Sequence, residues 1–197
     1  MTSPPTTDRD RVLPTYARAD VTIVRGEGCR VWDDAGRAYL DFGGGIAVTS
    51  LGHLHPQVTA AAHEQLDTLW HASNLYWTEP MLRLAALLSD RLGGARAFFC
   101  NSGAEANEAA IKYARKATGR ARVVALDGGF HGRTVGALSV TGQPSKWEGF
   151  GPLLADVSFA PPNDIEALER LVSPSGDVAL VILEPVLGEG GVIPLEQ

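Results

Sequence analysis

The sequence predicts an α/β fold, a mainly parallel sheet with flanking helices behind a small β segment, on three observations. Residues 97–126 read as strand, helix and strand in succession, a βαβ unit, which requires parallel pairing and a helix across one face of the sheet. Residues 178–183 (VALVIL) are continuously apolar and partly β-branched, as a strand covered on both faces should be. Residues 21–41 hold short alternating stretches around Asp33-Asp34-Ala35-Gly36, a turn signal between antiparallel strands.

In chain order, residues 1–17 are expected to be a loose terminus, because Met1 to Asp10 is polar, carries two prolines and has no basic-then-apolar leader. Residues 18–55 form the β segment, a hairpin or small meander followed by the glycine-rich, aperiodic run FGGGIAVTSLGHLHP, expected as a loop. Pro56 starts a helix through about Leu69, with Val58, Ala61, Ala62, Leu66 and Leu69 on one face. Glu79-Pro80 opens a second helix to about Leu92, stopped by Gly93-Gly94. Then come a short strand over Ala97–Cys100, a helix over Gly103–Thr118 ended by Gly119, a strand over Arg122–Leu126, and a helix over Pro161–Leu171. Residues 56–197 belong to the sheet-and-helix part.

The 197 residues suffice for one domain, or a large piece of one, with a sizeable core. The net charge of -6 comes without a basic stripe, which argues against nucleic acid as a partner. No apolar run approaches the roughly 20 residues of a membrane helix. Cys29 and Cys100 have no metal-like spacing, and a reducing cytoplasm is the expected setting. His53 and His55 stand among glycine and proline with no acid or cysteine cluster, so a structural role at the start of a helix is expected for them rather than a metal.

Chemistry concentrates at three turns. In FFCNSGAEANEAAIKYARK a strand ends and a helix begins, so the first N–H groups of that helix point at the turn, where the helix dipole favours an anion. Gly103 would let a phosphate approach the backbone. Ser102 and Glu105 also form a capping box, which needs no ligand at all. The GxxxxGK[ST] and GxGxxG nucleotide patterns are absent there. In GFHGRT (residues 129–134), Phe130, His131 and Arg133 sit on a loop after a parallel strand, where ligands bind in such sheets; a core phenylalanine and a solvated arginine are the plainer reading. In EPVLGEGG (residues 184–191), Glu184 ends a buried strand, either because the strand reaches solvent there or because its carboxylate serves a site.

Those three motifs, with GIAVTSLGHLHP and SNLYWTEP upstream, resemble the class III (ornithine-type) aminotransferases, enzymes of the pyridoxal 5'-phosphate (PLP) fold type I, over roughly residues 18–197. Within that class the pattern around GIAV, LGH, HP and SNLY is most similar to the acetylornithine type. The resemblance implies that Ser102, Gly103 and Ala104 hold the cofactor phosphate, that Phe130 stacks on its ring with His131 beside it, and that Arg133 binds the substrate carboxylate. It implies that Ser73, Asn74, Tyr76 and Trp77 line the substrate side, that Glu184 supports the site, and that Glu189 pairs with a second arginine located beyond Gln197. Leu187 departs from the glutamine usual in that segment.

The resemblance also implies an amino-group donor such as N-acetylornithine or a related ω-amino acid, 2-oxoglutarate as acceptor, and a homodimer. Ornithine- and 4-aminobutyrate-type activities belong to the same class. The lysine that holds the cofactor, and the aspartate of a D-E-V-Q motif beside its ring nitrogen, are not among these residues. Lys112 and Lys116 lie along a helix as solvated charge, and Lys146 lies in a polar loop. The expectation is a fragment of the enzyme with no catalytic residue of its own, inactive alone; a non-catalytic protein of the same fold is the alternative.

Overall fold

A computed structural model of the chain describes residues 9, 11–172 and 176–196. Part of the terminus expected to be loose lies outside the described residues. The chain divides into two compact units, residues 1–83 and 84–197.

The first unit holds an antiparallel sheet in the order β1 (Ile23–Glu27), β2 (Arg30–Asp33), β3 (Ala38–Leu40). Asp33 knots the turn between β2 and β3. Its carboxylate accepts from the Ala35 and Arg37 amides at 3.0 and 2.8 Å, from Arg37 Nε at 2.7 Å and from the Tyr39 hydroxyl at 2.8 Å. Burial pushes this carboxyl up, but those donors and the Arg37 charge outweigh it and bring its pKa down to about 2.

The glycine-rich run contains one irregular turn, α1 (Gly44–Ala47), with Ile46 and Ala47 in the left-handed region. Asp41 accepts from the Gly43 and Gly44 amides and lies 2.8 Å from His53 Nε2, while Gly28 and His53 exchange backbone hydrogen bonds. His53 thus fastens the loop to the hairpin. His55 is the N-cap of α2 (Pro56–Thr68), and α3 (Glu79–Arg91) follows, each close to its expected bounds.

In the second unit, α4 (Gly103–Thr118) begins at Ser102 and ends at Gly119, whose φ of 68° only glycine adopts without strain. A parallel sheet follows in the order β5 (Val157–Ala160), β4 (Arg122–Leu126), β6 (Val178–Val181). The pleat of β4 sorts its side chains between two layers. Val123 and Ala125 pack with Ile111 of α4 and Val140; Leu126 packs with Ala160, Leu187 and the Leu168 and Leu171 side chains of α6 (Ile165–Val172).

The strand expected at Ala97–Cys100 does not form. Residues 97–100 pair with none of the described strands, although the outer edges of β5 and β6 are free among the described residues, and a strand exists only where its backbone is paired. The βαβ units run instead through β4, β5 and β6. The helix expected from Pro161 begins at Ile165, because Asp164 caps it, accepting from the Ala167 amide at 2.8 Å. The strand β5 of the parallel sheet had no counterpart in the sequence reading, and neither did α5 (Val135–Ser139) or the pair β7 (Val186–Leu187) and β8 (Ile193–Pro194).

Candidate active site

The start of α4 is open. Ser102 Oγ accepts from the Glu105 amide at 3.2 Å, the expected half of the capping box, whereas the Glu105 carboxylate reaches one residue further back than expected, to the Asn101 amide at 2.6 Å. The amides of Gly103 and Ala104 have no partner among the described residues. A Cβ placed on Gly103 would meet nothing within 4 Å, so the space in front of this turn is clear of protein. Unpaired N–H groups at the positive end of a 16-residue helix, facing open space, suit a phosphate.

The loop after β4 is pressed onto that helix. A Cβ on Gly132 would lie 2.9 Å from Ala104 Cβ and 3.0 Å from Ala137 Cβ, at a φ of 130°, so only glycine allows this approach. Two side chains of α4 then hold the loop. Asn107 Nδ2 donates to the His131 carbonyl at 2.7 Å. Glu108 accepts from the Thr134 hydroxyl at 2.7 Å and from the Gly136 and Ala137 amides at 2.9 and 3.2 Å, capping α5 from a neighbouring helix. From below, Thr141 Oγ1 accepts from the His131 amide at 3.0 Å and donates to the Ala137 carbonyl.

His131 is buried, and its Nε2 has no partner among the described residues. Burial pushes its pKa below the ordinary histidine value, partly offset by the charge of Glu184. The Glu184 carboxylate accepts from the Phe130 amide at 2.7 Å, tying the end of β6 to the loop. Leu187, where a glutamine was expected, is fully buried against Leu126 and Ala160 and serves the core beneath the site.

Phe130 is half-buried and has two cations near its ring: Lys146 Nζ at 4.7 Å and Arg133 Cζ at 5.7 Å from the centroid. Lys146 is paired with Glu189 at 2.9 Å, and its hydrogen bond and charge, followed by the charge of Arg133, hold the Glu189 carboxyl below its usual value. Arg133 is exposed and makes no hydrogen bond or ion pair among the described residues. The structure therefore brings Ser102, Gly103, Ala104, Phe130, His131, Arg133, Glu184 and Glu189 into one unit. Ser73, Asn74 and Tyr76 line a hollow of about 280 Å³ within the first unit, and Trp77 is exposed there.

Lys146 ends a 3-10 turn (Pro144–Lys146) in the loop where the sequence placed it, and its side chain is mostly shielded. Lys112 and Lys116 are exposed, as expected. Asn107, Glu108 and Gly132 were missed as positioning residues. The one available signal was a polar pair, Asn107-Glu108, within an otherwise small apolar helix face.

A sequence model of the family described as Aminotransferase class-III matches residues 14–197. The acetylornithine aminotransferase of Halalkalibacterium halodurans is 51% identical over 181 residues, 92% of this chain and 47% of that protein. That of Pseudomonas putida is 48% identical over 197 residues, 96% of this chain and 48% of the relative. The chain spans about half the length of the curated relatives it matches. Among solved structures, an ornithine aminotransferase from Toxoplasma gondii superposes with a TM-score of 0.89 at 32% identity, covering 96% of this chain and 47% of its own. A taurine:2-oxoglutarate aminotransferase from Bifidobacterium kashiwanohense, in complex with PLP and glutamate, superposes with a TM-score of 0.88 at 28% identity, covering 96% and 49%.

Proposed function

The chain belongs to the class III aminotransferases, and from that premise we propose that it supplies the phosphate, ring and carboxylate contacts of an enzyme that moves an amino group from N-acetylornithine, or a related ω-amino acid, to 2-oxoglutarate. Its fold is that of the PLP-dependent aminotransferases of fold type I, as the sequence predicted. PLP is the cofactor of the family, and when bound it supplies an electron sink and takes up the amino group between the two half-reactions.

The observation that carries this reading is the contact at Gly132, which sets the loop bearing Phe130 and Arg133 against the open N-terminus of α4. The Gly103 and Ala104 amides hold the phosphate. Phe130 offers a flat apolar face to the ring, held in place through its amide by Glu184. Arg133, exposed and unpaired among the described residues, offers a guanidinium fork to a substrate carboxylate. The acetylornithine aminotransferases among the relatives support this donor, and arginine biosynthesis as its setting.

No lysine here is placed to carry the cofactor: Lys112 and Lys116 are solvated on α4, and Lys146 is committed to Glu189. The lysine therefore comes from outside residues 1–197, and these residues alone bind PLP reversibly and do not transaminate. A homodimer in the cytoplasm is the proposed working form. It is supported by the apolar side chains that the first unit leaves exposed, among them Phe42, Ile46, Trp70 and Trp77, each at least 81% accessible.

Borohydride treatment of the chain mixed with PLP, followed by peptide mass spectrometry, tests the lysine assignment. The expected result is PLP lost on dialysis and no reduced adduct at Lys112, Lys116 or Lys146. A stoichiometric adduct at one of them would overturn it.

A further inference from the structure

Stacking on Phe130 needs its ring held in one direction, and that direction follows from the two peptide groups on either side of its α-carbon. The peptide before it is gripped at both ends: the Gly129 carbonyl accepts from the Gly142 amide at 2.9 Å, and the Phe130 amide donates to Glu184 at 2.7 Å. The peptide after it makes one hydrogen bond among the described residues, from the His131 amide to Thr141 Oγ1 at 3.0 Å. Together the two peptide planes fix φ and ψ of Phe130, the two soft dihedrals of its backbone. We propose that Thr141 is a positioning residue for the cofactor ring: its hydroxyl sets the second peptide plane and so aims the Phe130 side chain. The proposal rests on the reading that Phe130 stacks on that ring.

Thr141 is itself held firmly. It is fully buried, so no water competes for its hydroxyl. That hydroxyl donates to the Ala137 carbonyl at 3.0 Å, which commits its proton and leaves its lone pairs for the His131 amide. The backbone beside it is seated on the end of β4. Gly142 donates to the Gly129 carbonyl and accepts from the Gly128 amide at 2.8 Å, and a Cβ on Gly142 would run into the Leu126 carbonyl. The Thr141 carbonyl accepts from Trp147 Nε1 at 2.8 Å. Ala137 belongs to α5, which Glu108 of α4 caps, so the contacts run from the helix bearing the phosphate turn, through α5 and Thr141, to the loop of Phe130. A threonine that only closed α5 would need its bond to Ala137 and nothing more. The bond it accepts from His131 serves the loop.

The test separates ring from phosphate. Its probes are inorganic phosphate and 4'-deoxypyridoxine 5'-phosphate, which carries ring and phosphate but no aldehyde, so that no lysine adduct enters the measurement. Phosphorus NMR titrations of the full chain give the affinity of each. Thr141→Val keeps the shape and removes the hydroxyl. It should weaken the ring-bearing probe by about tenfold, the contribution of one hydrogen bond, and leave inorganic phosphate unchanged. Thr141→Ser keeps the hydroxyl and should bind both probes as the unaltered chain does. Unchanged affinity for the ring-bearing probe in Thr141→Val, or a Thr141→Ser chain as weak as Thr141→Val, would overturn the proposal. Equal loss of both probes in Thr141→Val would overturn it too, because Thr141 would then hold the fold and nothing finer. Phe130→Ala should also weaken the ring-bearing probe alone. If it does not, the stacking role of Phe130 fails and the proposal with it. If Phe130→Ala weakens that probe while Thr141→Val does not, only the role of Thr141 fails.

Discussion

Gly132 and His131 are adjacent, and each tests the site differently. Gly132 has no room for a side chain: its Cβ would overlap Ala104 and Ala137. Gly132→Ala should therefore destabilise the chain by about 1–3 kcal/mol through forced displacement of packed backbone, and weaken PLP binding along with it. Urea unfolding with a parallel PLP titration reads both, and an unchanged midpoint would mean that the loop yields without strain. His131 is kept neutral by burial, its pKa depressed in the folded chain. The stability it contributes is whole above the ordinary histidine pKa and is lost as pH falls through the folded value, because the unfolded chain takes up the proton more readily. Urea midpoints should fall between about pH 7.5 and about pH 5.5, and His131→Gln should remove part of that fall. None of this was legible in the sequence, where His131 was one polar residue in a loop whose backbone is held by Thr141 and Asn107, 10 and 24 positions away.

Among the elements, α4 was the most legible, because its signals are local: the Ser102 cap, the Gly119 stop and the helical period between them. The short helix α5 was illegible for the opposite reason. Five residues carry no period, and its cap, Glu108, comes from 26 to 29 positions earlier in the chain. Glu108→Ala should destabilise the second unit by about 0.5–2 kcal/mol, the range for losing a helix cap. Lys112→Ala on the exposed face of the same helix should stay within about 0.5 kcal/mol. Equal effects in urea unfolding would contradict the assignment of Glu108 as the cap of α5. The strand expected at Ala97–Cys100 failed on a related point: its apolar residues have the right type, but a strand also needs a paired neighbour, and none of the described strands pairs with it.

At the scale of the molecule, the α/β class was readable from the apolar strand at Val178–Val181 and its alternation with helices, and the residues gathered in the second unit were named from motifs spread over 88 positions, from Ser102 to Glu189. What the sequence could not display is how those motifs are locked together, because the locks are a missing Cβ at Gly132, a carboxylate at Glu108 and an ion pair between Lys146 and Glu189. The central claim is that the N-terminus of α4 receives the cofactor phosphate. Gly103→Asp tests it most directly. A carboxylate in the first turn favours the helix itself through the dipole, so the fold should be kept or slightly strengthened, while its charge opposes a phosphate at the same amides. A fluorescence titration of the chain with PLP should show affinity lowered at least tenfold in Gly103→Asp, with Gly103→Ala much closer to the unaltered chain because the space around this Cβ is open. PLP affinity unchanged in Gly103→Asp would place the phosphate elsewhere and contradict the account.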